Sequence, residues 1–215
     1  MQTVIEKERP LPGIALREMD DRVGGGVPAG SLLLTEGRYD GTESQVARYL
    51  LYSALRSGQR SVYCTFQNTV KGILESCDSL GAPVEDYFLL GRVRIHPLTT
   101  CAHSISAGES LRALLDHMRS IPDDFQYITV DSITHLMADA DDATVIDFFS
   151  RCKEMCAEGR TINLVVHSRS LDGQMFLRAR AFCDGYLRLR LKAVDERLVK
   201  TLEVLTSTAE CRTGV

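Results

Sequence analysis

Gly24-Gly25-Gly26-Val27-Pro28-Ala29-Gly30-Ser31-Leu32-Leu33-Leu34-Thr35-Glu36-Gly37-Arg38-Tyr39-Asp40-Gly41-Thr42-Glu43-Ser44 is a glycine-rich turn, a short apolar run and a second polar turn, in that order. Val46, Ala47, Leu50, Leu51, Ala54 and Leu55 follow at helical spacing. Together they predict a strand, a tight loop and a helix that starts where the loop ends. The same alternation continues outward along the chain. β-rich runs are predicted at Leu32–Thr35, Ser61–Thr65, Val93–His96, Tyr127–Val130 and Ile162–His167. Helical periodicity marks Val70, Ile73, Leu74, Cys77 and Leu80, with Asn68 as the expected cap and Gly81 as the stop. It marks Leu111, Leu114, Leu115 and Met118, then Val145, Phe149, Cys152 and Cys156 up to Gly159, and a shorter helix over Gln174–Phe182. Strands alternating with helices predict an α/β fold, a mostly parallel sheet with helices on both faces. Tyr186–Leu191 and Leu198–Leu205, around the polar turn Val194–Arg197, predict an antiparallel C-terminal β-hairpin at the sheet edge. No linker or repeat divides residues 1–215, so one domain is expected.

A loop that binds nucleotide phosphates at such a strand-to-helix turn has the frame G-x-x-x-x-G-K-[ST]. Its backbone N–H groups wrap the phosphates, its lysine neutralises their charge and its hydroxyl holds Mg²⁺. Here Gly37 and Ser44 stand at the first and last positions, with Gly41 inside the loop. Thr42 takes the second glycine position and Glu43 the lysine position. Like charges ~4 Å apart cost ~4 kcal/mol at an effective dielectric of ~20, and losing the lysine's attraction adds a similar amount. Thr42 also places a Cβ where backbone must approach phosphate. The frame predicts weak ATP binding or none. Taken alone, the stretch fits a plain strand–turn–helix equally well.

Asp21-Arg22-Val23-Gly24-Gly25-Gly26-Val27-Pro28-Ala29-Gly30-Ser31-Leu32 resembles the opening of the RecA/KaiC-like ATPases. Further segments narrow the resemblance. They are Asn68-Thr69-Val70-Lys71, Leu80-Gly81, Tyr127 to Thr134, Asp147 to Lys153, Gly159 to Ile162, Val165-Val166-His167, Arg178 to Asp184 and Leu198 to Val204. With these, roughly residues 10 to 205 resemble the FlaH (ArlH) family of archaellum accessory ATPases. The resemblance implies a RecA-like fold and a cytoplasmic place at the base of the membrane-bound archaellum motor. It implies a motor ATPase (FlaI-like) and a membrane platform protein (FlaJ-like) as partners, in some archaea a ring scaffold, and homo-oligomers. In that family ATP binding regulates assembly.

Against the family pattern the chain departs at three places. Thr42 and Glu43 are the first. Gln67, in Tyr63-Cys64-Thr65-Phe66-Gln67-Asn68, stands where the family has a water-orienting glutamate, and an amide cannot accept the water's proton. Thr206 and Thr208 stand where related chains carry Lys-x-Arg toward a neighbour's γ-phosphate, a kind of contact that can supply ~10³–10⁵ in rate. Asp131 is retained as a Walker-B-like acid beside Ser132, with hydrogen bonding to the empty loop as its simplest role. His167 matches a sensor-like position and equally fits a hydrogen-bonded strand-end histidine. Arg38 could bind an anion from within the loop, whereas Lys71 is expected on a helix surface. The family pattern continues past Val215 through another strand, so the hairpin is expected to leave an exposed edge.

Composition adds bounds. The 215 residues are 44% hydrophobic and 25% charged with net charge −4, and the pI is near 5.8, so no nucleic-acid partner is expected. No apolar run approaches the ~18 residues of a membrane span, and Met1–Pro10 is too polar for a signal peptide. Seven scattered cysteines predict buried reduced thiols, with Cys152 and Cys156 on one helix face. Cys101 and His103, in a surface loop over Thr99–Gly108, are too few ligands for a metal site, so no metal is expected. Asp139-Ala140-Asp141-Asp142 is expected to serve a helix N-terminus. No catalytic residue is assigned, and no cofactor is expected unless the altered loop still takes ATP and Mg²⁺. The leading expectation is a non-catalytic accessory protein. The alternatives are a working KaiC/RadA-like ATPase, with DNA as a candidate target, and a KaiC-like regulator unrelated to motility.

Overall fold

The computed structural model describes residues 2–5, 28–37, 41–98, 106–167, 173–194 and 197–206. Strand β1 (Gln2–Ile5) is followed by β2 (Leu32–Gly37), α1 (Thr42–Arg56), β3 (Arg60–Thr65), α2 (Val70–Ser79), α3 (Glu85–Leu89) and β4 (Val93–Pro97). Next come α4 (Ala107–Ser120), β5 (Phe125–Asp131), α5 (Thr134–Ala138), α6 (Asp142–Ala157) and β6 (Thr161–His167). Helix α7 (Gly173–Arg180) and strands β7 (Gly185–Val194) and β8 (Arg197–Thr206) complete the described elements. All eight strands form one sheet in the order β1-β8-β7-β2-β6-β5-β3-β4. The ladders from β7 to β4 are parallel, and β8 runs antiparallel to β7 and to β1. The expected parallel sheet and terminal hairpin are therefore present.

β2 is buried along its whole length because it has parallel neighbours on both sides, β6 and β7. Its first half, Leu32-Leu33-Leu34, reads as the continuous apolar run of such a strand, and Thr35 and Glu36 are buried polar residues beyond it. Neighbouring strands alternate their side chains between two cores. Val62, Cys64, Ile128 and Val130 point into the layer of α4, α5 and α6. Tyr63 and Tyr127 point into the layer of α1 and α2. Each fully buried large side chain, such as Phe148, Phe149 or Leu51, contributes ~1.5–3 kcal/mol.

Local chemistry sets the helix ends. Thr69, one residue past the expected Asn68, caps α2 by accepting from Gly72 N at 3.1 Å. Gly81 follows with φ 71°, a left-handed turn open to glycine. Ser106 and Glu109 form a reciprocal capping box on α4, so the expected surface loop gives way to helix by Ala107. Asp141 caps α6 by accepting from Thr144 N at 2.9 Å, which is the helix-terminal role expected of the acidic cluster. α3 and α5, five residues each, are too short to leave a periodic signal.

The exposed edge expected after the hairpin is corrected by β1. Gln2–Ile5 pair antiparallel with β8 from Lys200 to Glu203 and cover that part of it. No described helix is long and apolar enough to cross a membrane.

Candidate functional site

The parallel strands all end at one edge, the side of an α/β sheet where ligands bind. Gly37, Thr65, Asp131 and His167 end β2, β3, β5 and β6, and the ladder sets Gly37 opposite His167 and Thr65 opposite Asp131. The N-terminus of α1 points into this edge. Gly41 is its left-handed N-cap (φ 68°) and makes no side-chain cap. Gly37, Gly41, Thr42, Glu43, Ser44, Asp131 and His167 are thereby brought together. Arg38 and Thr208 lie outside the described residues, and Thr206 is the last residue of β8.

Glu43 is the unusual member. Its side chain is fully buried, and Oε1 lies 2.7 Å from His167 Nδ1. Its carboxylate folds back against the Cα of Gly37. A Cβ added to Gly37 would meet Glu43 Oε2 at 1.9 Å and Glu43 Cβ at 2.7 Å. Glu43 also lies in the first turn of α1, where the helix dipole favours negative charge. The hydrogen bond that His167 donates to Glu43 raises the His167 pKa above its usual value, against desolvation, and the charges of Glu43 and Asp131 add to this. The place in the fold that elsewhere draws a phosphate to a helix N-terminus holds the chain's own Glu43 carboxyl group, with the His167 ring beside it.

Asp131 has partners on both carboxylate oxygens. Ser44 Oγ donates to its Oδ1 at 2.8 Å. Tyr63 donates its hydroxyl to Oδ2 at 2.5 Å, and Arg48 Nη2 lies 3.9 Å from the same oxygen. Burial, and then the Asp131 charge, push the Tyr63 phenol well above its usual range. Arg48 and Tyr63 were not singled out from sequence. The available signals were Arg48 four residues after Ser44 on α1, hence on the same face, and Tyr63 alternating inward on β3.

Gln67 is exposed just beyond β3, where its backbone N donates weakly to Thr65 Oγ1 at 3.4 Å. Lys71 pairs with Glu75 on the exposed face of α2, as expected. A second buried charge pair flanks the site: Glu36 Oε2 lies 3.3 Å from Arg188 Nε, between β2 and β7. Five cysteines, at 64, 77, 152, 156 and 183, are buried free thiols. Sequence spacing gave no hint that Cys64 meets His96 and His117.

Six parallel strands with a loop-to-helix turn at the end of β2 and an acid at the end of β5 define a nucleotide-binding-type α/β protein. The KaiC ATPase family model matches residues 13–208, and the chain belongs to that family. Within it, the chain is similar to the archaeal flagellar ATP-binding protein FlaH of Sulfolobus acidocaldarius. They are 26% identical over 191 residues, which cover 87% of this chain and 83% of that one. The FlaH protein of Methanocaldococcus jannaschii is 25% identical over 178 residues, 81% and 75% of the two chains. The crystal structure of the flagellar accessory protein FlaH from that organism shares the fold. Its TM-score is 0.75 at 22% identity, with 96% of this chain and 88% of that chain covered.

Proposed function

We propose that this chain is a non-catalytic FlaH-type accessory protein that acts in assembly through protein contacts, with little or no ATP binding. The observation that carries this reading is the fully buried Glu43 carboxylate, paired with His167 and packed on Gly37. The residues do not fit a magnesium-bound triphosphate. A phosphate entering the loop would meet a buried acid in place of a lysine. The one cation described beside it, His167, is already paired with that acid. Asp131, the acid that would face Mg²⁺ through water, is held by Ser44, Tyr63 and Arg48. Gln67 offers no base for an attacking water. No reaction step is assigned to this site.

In this reading the fold is kept as a platform whose internal ion pairs replace the bound nucleotide as the glue of the loop. Its partners are a FlaI-like motor ATPase and a FlaJ-like membrane platform protein, with a ring scaffold or further copies of the chain as additional neighbours. It would lie in the cytoplasm at the membrane-based motor, without contact to nucleic acid. Calorimetry with Mg-ATP is expected to give no binding tighter than about millimolar, which corresponds to about −4 kcal/mol; micromolar binding overturns the pseudo-ATPase part. Capture of the cognate motor ATPase homologue by the immobilised protein tests the partner, and its absence at micromolar concentrations overturns that part. An ATP-binding regulatory KaiC/RadA-like ATPase is the second reading, and it draws on the intact Ser44–Asp131 hydrogen bond. Steady magnesium-dependent phosphate release that stops in Asp131→Ala would favour it.

A further inference from the structure

On the sheet face opposite α1, a thiol and two imidazoles converge. Cys64 and His96 are register partners on β3 and β4. Cys64 belongs to the core under α4 and α6, away from the Glu43 loop. His117 comes from α4, three residues after the buried Leu114, a spacing that keeps both near the same helix face. The Sγ and the ring nitrogens all lie within 4.8 Å of one another. His96 Nδ1 and His117 Nε2 are 3.0 Å apart. The thiol is fully buried while both histidines are half-buried, so the cluster has a dry floor and a rim open toward solvent.

We propose that Cys64, His96 and His117 form a zinc-binding site that fastens β4 and α4 to the end of β3. Thiolate and imidazole are the donors zinc prefers, whereas Mg²⁺ and Ca²⁺ take oxygen. Zinc binds nitrogen at ~2.0–2.1 Å and sulfur at ~2.3 Å. Tetrahedral binding therefore separates two nitrogens by ~3.3 Å, and the histidine pair has to open by only a few tenths of an ångström. Three protein ligands leave a fourth position for water on the solvent side.

The proton balance is defined. Burial pushes the Cys64 thiol up to about 12, so the metal-free protein carries Sγ–H. Desolvation lowers the pKa of both histidines, and their mutual repulsion and Arg94 lower that of His96 further, so the pair is neutral and shares one N–H between the facing nitrogens. Zinc binding forms one Zn–S and two Zn–N bonds and expels the thiol proton to solvent. The imidazole that donated in the histidine pair shifts its proton to its other ring nitrogen, so no further proton is released. The anchored strand end lies three residues before Gln67. Zinc would fix the segment that in related ATPases carries the water-orienting residue, independently of what the Glu43 loop binds.

The experiment uses the full chain carrying Cys101→Ser and His103→Ala, so that the nearby Cys101–His103 pair contributes no ligand, and the cluster variants assign the signal. Zinc affinity is measured by competition with a chromogenic chelator, and Co²⁺ serves as the spectroscopic probe. The expected result is one metal per chain, a sulfur-to-cobalt charge-transfer band and a melting temperature raised by zinc. Cys64→Ser should abolish the band. Cys64→Ser, His96→Gln and His117→Gln should each weaken zinc by about 100-fold or more, since even outer-shell partners are worth 10–100-fold. If Cys64→Ser does not fold by circular dichroism, His117→Gln, at a half-buried helix position, decides alone. Absence of a one-to-one complex in the parent protein, a cobalt spectrum without the thiolate band, or an affinity unchanged in His117→Gln overturns the proposal.

Discussion

Replacing Glu43 by glutamine tests whether the loop is held together by an internal ion pair. At 2.7 Å from His167 Nδ1 the gross attraction is about 6 kcal/mol at an effective dielectric of ~20. Most of this is offset by taking a fully buried carboxylate and a partly buried imidazolium out of water. The exposed flank of the His167 ring screens it further, which leaves about 2 kcal/mol net. In the variant, His167 can shed its proton, so no orphaned charge remains and the cost stays below the ~3–5 kcal/mol of a broken buried pair. The pH dependence is the sharper readout. His167 has a folded pKa raised above its unfolded value. Its contribution is therefore fully present below the unfolded pKa and is lost as pH rises through the folded pKa. Thermal melts of wild type and Glu43→Gln should differ by about 4–8 °C at pH 6, taking ~2–4 °C per kcal/mol for a chain of this size. The difference should shrink steadily toward pH 9. A difference that is constant over this range, or that grows with pH, would refute the assignment of the ion pair.

Three further tests probe the same architecture. Thr42→Gly with Glu43→Lys restores the glycine and lysine of a phosphate loop, and calorimetry should then detect Mg-ATP at least ~10²-fold more tightly than in wild type, a gain of ~2.7 kcal/mol. Gly37→Ala puts a methyl 1.9 Å from Glu43 Oε2; denaturant unfolding should show a loss of about 1–3 kcal/mol, and combining it with Glu43→Ala should recover part of that loss. Arg160 is buried and donates to Met118 O, Ile121 O and Asp123 Oδ1 at 2.6, 2.9 and 2.7 Å. Arg160→Met should cost about 2–4 kcal/mol, because two carbonyls at the end of α4 lose the guanidinium, Met118 O keeping only the 3.3 Å bond from Ile121 N, with no effect on whatever the loop binds.

The fold was legible because its strands are unmistakable in this chain. Leu32-Leu33-Leu34 and Leu164-Val165-Val166 are apolar on both faces, as interior parallel strands are, and turns along the chain carry glycine at left-handed positions such as Gly81 and Gly159. β1 escaped because Gln2-Thr3-Val4-Ile5 is too short and too polar for a pattern. Its pairing with β8 joins residues almost two hundred positions apart, a contact that no local signal encodes. At the site, the loop frame puts Glu43 and Ser44 at the start of a helix, and the strand pattern with the family resemblance puts Asp131 and His167 at strand ends, which is where they lie in the fold. Electrostatic reasoning singles out Glu43 but weighs it only against a phosphate, not against a partner within the chain. Its compensation by His167 depends on Gly37 and His167 being opposite one another on β2 and β6, which is tertiary register. Cys64, His96 and His117 were invisible for the same reason: they come from three elements, with no repeated spacing between them.

β1 leaves one practical consequence. Among the described residues, its four positions are what pairs with the outer side of β8, from Lys200 to Glu203. Trimming the first handful of amino acids would bare that stretch of backbone as a template that a second molecule could extend. Self-association of a shortened chain would then report a lost cover, and should not be mistaken for a native assembly contact.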